Sequence, residues 1–223
     1  EVRDTLDNVI LGIENLRVKI DDFSLGRHRL SFERVSIDSG TFAMVYYNDD
    51  SLSNLDFFIR KFTRSDTTVT GATPAPAWHI SCGNLLIDRF TYSLKREGAE
   101  AGEQDGVNFR DLGIHDISID MREIAVIGDS ISAFIDHLAC RENSGLELLN
   151  FSGDATVYSK GIIAGGAQIS TGRTSLDLDL AFRYNGYDRL SEFLDSVRIE
   201  ADIRSSLITP GDIGYFVPAL AGM

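Results

Sequence analysis

Residues 175–184, SLDLDLAFRY, alternate apolar and polar side chains without interruption, and this segment strongly limits what the chain can form. Asp177, Asp179 and Arg183 fall on one side of an extended chain. The apolar residues fall on the other side: Leu176, Leu178, Leu180, Phe182 and Tyr184. Because successive strand side chains point to opposite faces, the pattern predicts a strand with one apolar and one charged face.

Shorter strands are predicted just before it, around Leu146 and Leu148 and then around Val157, Ile162 and Ile163. Gly- and Asn-containing turns separate them. Residues 145–184 therefore predict a sheet with one apolar face, and that face covers either a packed core or a ligand.

The first 25 residues also alternate, although the phase changes by one residue near Asn15. This predicts a strand with a bulge or a turn at that point, and a helix within the first ten residues is the alternative.

A repeat with an offset of 50 follows, in which residues 30–42 align with residues 80–92. Ser31 and Asp38 are among the positions that are identical in the second copy. Residues 117–125 form a weaker third copy. We interpret each unit as a hairpin with a tight turn near the Asp, and chance similarity among hairpins is the alternative.

Four short helices are predicted to flank or plug the sheet. A capping-box pattern begins at Ser53, and Asp129 precedes an apolar i, i+3, i+4, i+7 stripe over residues 131–138. Asp188 begins a third helix, and Pro210 occupies the first position of a fourth.

Two polar segments, 63–77 and 96–106, are predicted to be loose loops. Each hairpin between them is too small to be stable alone, so we assign residues 1–223 to one domain. Because the chain begins at Glu1 rather than Met, we expect it to be a segment of a longer protein.

Composition argues against several classes of function. The formal net charge of −13 disfavours nucleic acid and anionic membrane surfaces. Cys82 and Cys140 are expected to be small buried hydrophobic residues, with a disulfide as the alternative. We find no nucleophile elbow, phosphate loop or metal-ligand spacing, and therefore predict no enzyme activity, no metal and no cofactor. The pair of Asp177 and Asp179 more simply keeps the charged face hydrated.

Five segments share a pattern of apolar positions with a few fixed polar residues: RLSFERVSIDSGTF (29–42), WHISCGNLLIDRFTY (78–92), SGLEL (144–148), TGRTSLDLDL (171–180) and SSLITPGDIGYF (205–216). They resemble the AsmA/TamB family, and most closely the large TamB-like proteins of Bacteroidota. The resemblance covers nearly the whole chain. It implies a mainly β fold with short helices (α+β): an elongated, curled antiparallel β-sheet built of repeated hairpin units, with an apolar inner face.

The same resemblance implies a parent protein that is anchored in the inner membrane and spans the periplasm. It implies phospholipid transport to the outer membrane, with acyl chains as ligands in an apolar groove. An alternative within the family is a scaffold for outer-membrane protein assembly that binds client strands at the sheet edges.

If the apolar face is a groove, its candidate lining comes from the clearest strands. These residues are Ile87, Tyr92, Ile117, Ile119, Leu176, Leu178, Leu180, Phe182, Ile199 and Ile203. The alternative is that they form a closed core beneath the short helices. Whether the face is open or covered separates the two hypotheses.

Overall fold

The computed structural model describes residues 1–4, 6–47, 53–55, 78–97, 106–184 and 197–216. All ten strands in these ranges join one curled sheet, and the sheet does not close into a barrel. The strands are β1 (Val2–Arg3), β2 (Val9–Ser24), β3 (Arg29–Tyr46), β4 (His79–Arg96), β5 (Asp111–Ile127), β6 (Ser130–Glu142), β7 (Glu147–Tyr158), β8 (Gly161–Ser170), β9 (Ser175–Arg183) and β10 (Arg198–Ile203). The prediction of a mainly β, curled sheet is confirmed.

The strands are arranged in the sheet in the order in which they occur in the chain. Every adjacent pair is antiparallel except β3 and β4, which run parallel. In that pair Ser31 lies beside Ser81 and Asp38 beside Asp88, an offset of 50 residues. The sequence repeat is therefore seen in the fold as two equivalent strands lying side by side in register.

The predicted turn inside each repeat is wrong, because each unit is one continuous strand of 18 residues. The backbone instead departs from the extended conformation at Ser39 and Arg89, where φ is 63° and 52°. Two positions that flank such a residue and share the apolar face are therefore three residues apart, as Ile87 and Phe90 are in β4. The third copy also lies within a single strand, β5. The break in alternation that predicted a turn is therefore caused by a bulge within a continuous strand.

Bulges also bend the sheet on its other side. Gly153 in β7 has φ of 144°, and an added Cβ would lie 3.0 Å from Ala167 Cα. Gly166 in β8 has φ of 57°, and its N–H donates to the Asp179 carboxylate at 2.7 Å. Because a bulge increases local bending and twist, these positions curl β7 to β9 toward the apolar face.

The helix predicted after Asp129 is wrong, because residues 130–142 form strand β6. Ile131 and Ile135 are four apart, a spacing that places two residues on one face of a strand as well as of a helix. Phe134 points to the opposite face, where the Arg122 guanidinium lies 3.8 Å from its ring centroid. The register shift between Ile135 and Leu138 returns Leu138 to the face of Ile131. An apolar strand with a bulge therefore produced a helix-like spacing.

The helix predicted to begin near Pro210 is confirmed as α1 (Pro210–Gly214). The predicted helix after Asp188, most of the one after Ser53, loop 63–77 and most of loop 96–106 lie outside the described residues. Asn54 is described and buried; its amide accepts from Val45 N–H and donates to the Ala43 carbonyl. The assignment of 1–223 to one domain stays a prediction.

Candidate functional site

The apolar face of the sheet is built from complete rows of hydrophobic side chains. Paired residues on neighbouring strands point to the same face, so the register gives the members of each row. The middle row crosses β2 to β9: Leu16, Ile37, Ile87, Ile119, Leu138, Phe151, Ile169 and Leu176. Every member is apolar.

A second row, the far row, lies nearer the β2–β3 turn and crosses nine strands, from β2 to β10. Its members are Phe23, Leu30, Ile80, Val126, Ile131, Val157, Ile162, Phe182 and Ile199. At the usual strand separation, nine strands correspond to about 38 Å of apolar surface, measured along the curled sheet. No polar side chain interrupts this row.

Much of the apolar face is only partly covered. Among the described residues, seven hydrophobic side chains are buried: Ile10, Tyr46, Cys82, Ala164, Ala167, Leu178 and Tyr184. Leu16 and Ile20 in β2 are 55% and 60% exposed, and Ile199 in β10 is 56% exposed. Most other members of the two rows are half-buried. The described chain therefore leaves the face open along both flanks.

The opposite face carries charge. On β9 both Asp177 and Asp179 bind Arg204, whose guanidinium reaches one carboxylate at 2.9 Å and the other at 2.6 Å. On β5 and β6, Arg122 pairs with Asp136 at 3.2 Å. The hydrogen bonds to Arg204, together with the Gly166 N–H, hold the pKa of Asp179 below its usual value. This face is suited to contact with water.

All ten predicted lining residues lie on the apolar face. In the β4–β5 pair, Ile87 lies beside Ile119, whereas Tyr92 lies beside Ile114. Ile117 lies beside Phe90 in the same pair. On the other side, the register joins the remaining six residues through β8, β9 and β10: Leu176 to Ile169, Leu178 to Ile203, Leu180 to Ala201 and Phe182 to Ile199. The ten residues differ in exposure: Leu178 is buried, whereas Ile199 and Ile203 are exposed.

A cavity of about 540 Å³ lies at one end of the apolar face. Its floor is formed by residues of β5 to β9, and its roof by the chain after β10. The lining residues are Val107, Phe109, Leu112, Ile114, Cys140, Glu142, Leu146, Leu148, Ile169, Thr171, Thr174, Leu176, Ile208, Asp212, Ile213 and Phe216. Its size and apolar lining are typical of pockets that bind small apolar ligands.

Residues 207–216, here named the strap, cross this end of the apolar face and include α1. The strap begins on β9, where Ser175 and Leu207 exchange two backbone hydrogen bonds of 2.8 and 2.7 Å. It ends before β5, where Val107 N–H donates to the Tyr215 carbonyl at 2.8 Å. Between these points Thr171 Oγ1 donates to the Asp212 carboxylate at 2.5 Å. The strap thus spans the sheet from β9 to β5.

The polar side chains of the cavity are the carboxyls of Glu142 and Asp212 and the hydroxyls of Thr171 and Thr174. Hydrogen bonds from the Thr171 and Thr174 hydroxyls hold the pKa of Asp212 below its usual value, so this carboxyl is ionised at neutral pH. Glu142 accepts from the Ser144 N–H at 2.7 Å. Burial raises the pKa of the Cys140 thiol, which is therefore protonated and a weak nucleophile.

Sequence reasoning missed the cavity residues on the strap and around Val107. The helix start at Pro210 was visible in the sequence, but the surface it covers depends on the curl of a sheet assembled from distant strands. Sequence reasoning also missed the contribution of β6, because residues 131–138 were assigned to a helix.

Among the described residues, no group of three or more His, Cys, Asp or Glu side chains is arranged to hold a metal ion. None of the helices in this part of the chain has the length and apolar character needed to cross a bilayer. The chain matches no protein-family model, and no curated protein matches it at a significant level.

Proposed function

We propose that this chain binds lipid acyl chains along its apolar face as a segment of an AsmA/TamB-like envelope protein. In this proposal the parent protein is anchored in the inner membrane and spans the periplasm, and the segment helps phospholipid move to the outer membrane. The far row carries the proposal, because it combines unbroken apolar character over nine strands with partial exposure to solvent.

The energetics favour an acyl chain as the ligand. Each methylene that moves from water to an apolar surface gains up to about 0.8 kcal/mol, and no specific polar partner is needed. An exposed apolar surface of this extent is also unusual for a monomeric soluble protein and typically marks a binding site. The charged opposite face keeps the segment in water while the apolar face holds a chain.

A second candidate function is a scaffold that pairs with client strands. It is favoured by β10, whose six residues are all exposed and whose only partner among the described strands is β9. A free strand edge presents unpaired backbone donors and acceptors to another strand. This candidate uses the edge of the sheet rather than its apolar face.

Neighbouring residues on β8 provide a matched test of the acyl-chain proposal. Ile162 belongs to the far row, whereas Ile163 pairs with Thr156 and Ala181 on the charged face. We expect Ile162→Asp to lose co-purified phospholipid and Ile163→Asp to retain it, as measured by native mass spectrometry and lipid extraction. Far-UV circular dichroism establishes that both variants keep the β-sheet.

Equal lipid content in the two variants would contradict the proposal. So would a folded wild-type protein that carries no lipid after incubation with phospholipid vesicles. In that case, capture of strand peptides that is lost on replacing Ala201 in β10 with Pro would favour the scaffold instead, because Pro cannot complete a strand ladder.

A further inference from the structure

We propose that the strap is a movable closure, and that the cavity beneath it is a terminal pocket for the methyl end of one hydrocarbon chain. The closure rests on the contacts of residues 207–216 alone. The identity of the occupant also rests on the proposed function, since it takes the ligand of the apolar face to be an acyl chain.

The strap is held by far fewer interactions than a strand in the sheet. Its attachment on β9 is a single bridge between Ser175 and Leu207, and its attachment before β5 is one backbone hydrogen bond from Val107. The Tyr215 hydroxyl adds a long hydrogen bond of 3.4 Å to the Gly145 carbonyl. Segments with few stabilising contacts open locally at low free-energy cost.

A small polar cluster fastens the middle of the strap. Asp212 accepts from the Thr171 hydroxyl, and the Thr209 N–H donates to Thr174 Oγ1 at 3.1 Å. The Thr209 hydroxyl donates to the Arg173 carbonyl at 2.8 Å. These bonds all reach the β8–β9 turn, so their loss leaves the strap attached on that side by the Ser175–Leu207 bridge and weakens it without breaking a strand pair.

Apolar packing supplies the rest of the closure. Ile208, Ile213 and Phe216 face the cavity, yet the Phe216 side chain is still 57% exposed. Because these side chains exchange one apolar contact for another when a hydrocarbon enters, a bound chain can replace part of the strap's packing. The strap and a bound chain therefore pack against the same surface, with the chain beneath the strap.

The shape and charge of the cavity select its occupant. About 540 Å³ is more than three times the roughly 150 Å³ of an apolar cavity that accepts benzene. The only charged residues in the described lining are Glu142 and Asp212, both acidic. An anionic head group is therefore repelled, and the end of a chain that enters is its methyl end. The head group then lies along the open part of the apolar face.

The two native cysteines provide a reporter and an internal control. Cys140 lines the cavity, whereas Cys82 pairs with Ile124 on the same sheet. Ala139, next to Cys140, pairs with Ser118 in β5, and Ser118 lies six residues before Ile124. The two cysteines are therefore roughly 20 Å apart along the strands. A bulky maleimide therefore reports on the strap at Cys140 and on the general stability of the sheet at Cys82.

The experiment compares the labelling rates of both cysteines in wild type, Asp212→Ala and Asp202→Ala, with peptide mass spectrometry as the readout. Asp202 is an exposed acidic residue on β10 that pairs with Asp179 on the charged face, opposite to the cavity. We expect Asp212→Ala, which removes the hydrogen bonds from Thr171 and Thr174, to raise the rate at Cys140 by about tenfold or more. We expect no change at Cys82, and none at either site in Asp202→Ala.

Addition of dodecyl maltoside below its micellar concentration tests the occupant. We expect it to slow labelling of Cys140 in the wild type severalfold, whereas maltose alone has no effect. Thr171→Val removes the same hydrogen bond from its donor side, and should raise Cys140 labelling as Asp212→Ala does.

Unchanged Cys140 labelling in both Asp212→Ala and Thr171→Val would overturn the closure, whether or not the protein carries lipid. Raised labelling without protection by dodecyl maltoside, in a protein that still co-purifies with phospholipid, would overturn the terminal pocket and leave the proposed function intact. An equal rise at Cys82 would indicate general unfolding and would also count against a local closure.

Discussion

Strands β2 and β9 have similar alternating sequences but very different burial. Leu178 in β9 is 4% exposed, whereas Leu16 in β2 is 55% exposed, although both lie on the apolar face. Strand β9 is paired on both sides over most of its length, by β8 and β10. Beyond residue 11, β2 pairs only with β3 among the described strands. The number of neighbouring strands therefore accounts for part of the difference in exposure between the two leucines.

The size of neighbouring side chains accounts for the rest. Leu178 lies beside Ala167 on β8, and the glycines Gly165 and Gly166 precede that alanine. Small residues and a bulge let the sheet curl tightly there, so large side chains from adjacent strands converge. Leu16 instead lies beside Ile37, a large neighbour, and among the described strands no second strand pairs with β2 at this position. Alternation thus defines the face, and neighbours define burial.

The largest expected difference is between truncations of these two leucines. Leu178→Ala removes a buried side chain and should lower the free energy of unfolding by about 2–4 kcal/mol. Leu16→Ala removes one that is already half in water and should cost less than about 1 kcal/mol. Urea unfolding followed by circular dichroism measures both. Similar losses for the two variants would mean that β2 is covered in solution.

Glycine replacements sharpen the comparison at the level of the backbone. A Cβ added at Gly40 in β3 would lie 2.6 Å from a carbon of the Phe90 ring and 2.8 Å from the Gly12 carbonyl oxygen. A Cβ at Gly165 in β8 would meet no heavy atom within 4 Å. We therefore expect Gly40→Ala to cost about 1–3 kcal/mol by overpacking.

Gly165→Ala should instead be neutral or stabilise the protein by up to about 1 kcal/mol, because it restricts the unfolded chain. The same unfolding experiment measures both glycine variants. A tolerated alanine at residue 40 would show that both the Phe90 ring and the Gly12 backbone can shift, and β2, β3 and β4 would then be less tightly packed here than their register indicates.

Much of the fold could be predicted from local sequence patterns. The alternation in 175–184 predicted β9, and that in the first 25 residues predicted β2. The repeat at an offset of 50 indicated two equivalent elements, because like residues at like positions occupy like environments. It did not indicate that the two strands lie beside each other, since a parallel pair requires a long connection whose path the pattern does not encode.

The errors share one physical cause. Residues 131–138 satisfy helical and strand spacing at Ile131 and Ile135, and a bulge moves Leu138 onto the same face. Only the pairing with β5 and β7 decides between the two, and that pairing is not local. The strap is a similar case: its start at Pro210 was recognisable, whereas its position over the cavity depends on strands far away in sequence.

The smallest expected effect is at two hydroxyl–carboxylate contacts, one near the start of β2 and one at the β8–β9 turn. In the first, the Tyr47 hydroxyl donates to Asp4; in the second, Thr171 donates to Asp212. Burial, followed by the hydrogen bond to Asp4, raises the pKa of Tyr47 to about 12. Burial also raises the pKa of Asp4, but hydrogen bonds from Tyr47 and from backbone N–H groups lower it more. The pKa of Asp212 is lowered by its threonine donors.

Both contacts are therefore weakened at low pH, but only the Tyr47 contact is also weakened at high pH. Each carboxylate, with its lowered folded-state pKa, stabilises the protein above the ordinary value of 3.8 and loses this effect as pH falls through the folded-state pKa. Tyr47, with a raised pKa, stabilises below 10 and loses its effect as pH rises through about 12.

Tyr47→Phe should consequently lower the free energy of unfolding by about 0.5–1 kcal/mol near neutral pH. The difference from wild type should shrink between pH 10 and about 12, where the folded Tyr47 loses its proton. The difference caused by Thr171→Val should stay constant over the same range, because threonine does not titrate. Each difference is taken against wild type at the same pH, so the contribution of the other tyrosines to the pH dependence cancels. A parallel decline for both variants would mean that alkaline unfolding of the whole sheet, rather than the Tyr47 contact, sets the limit.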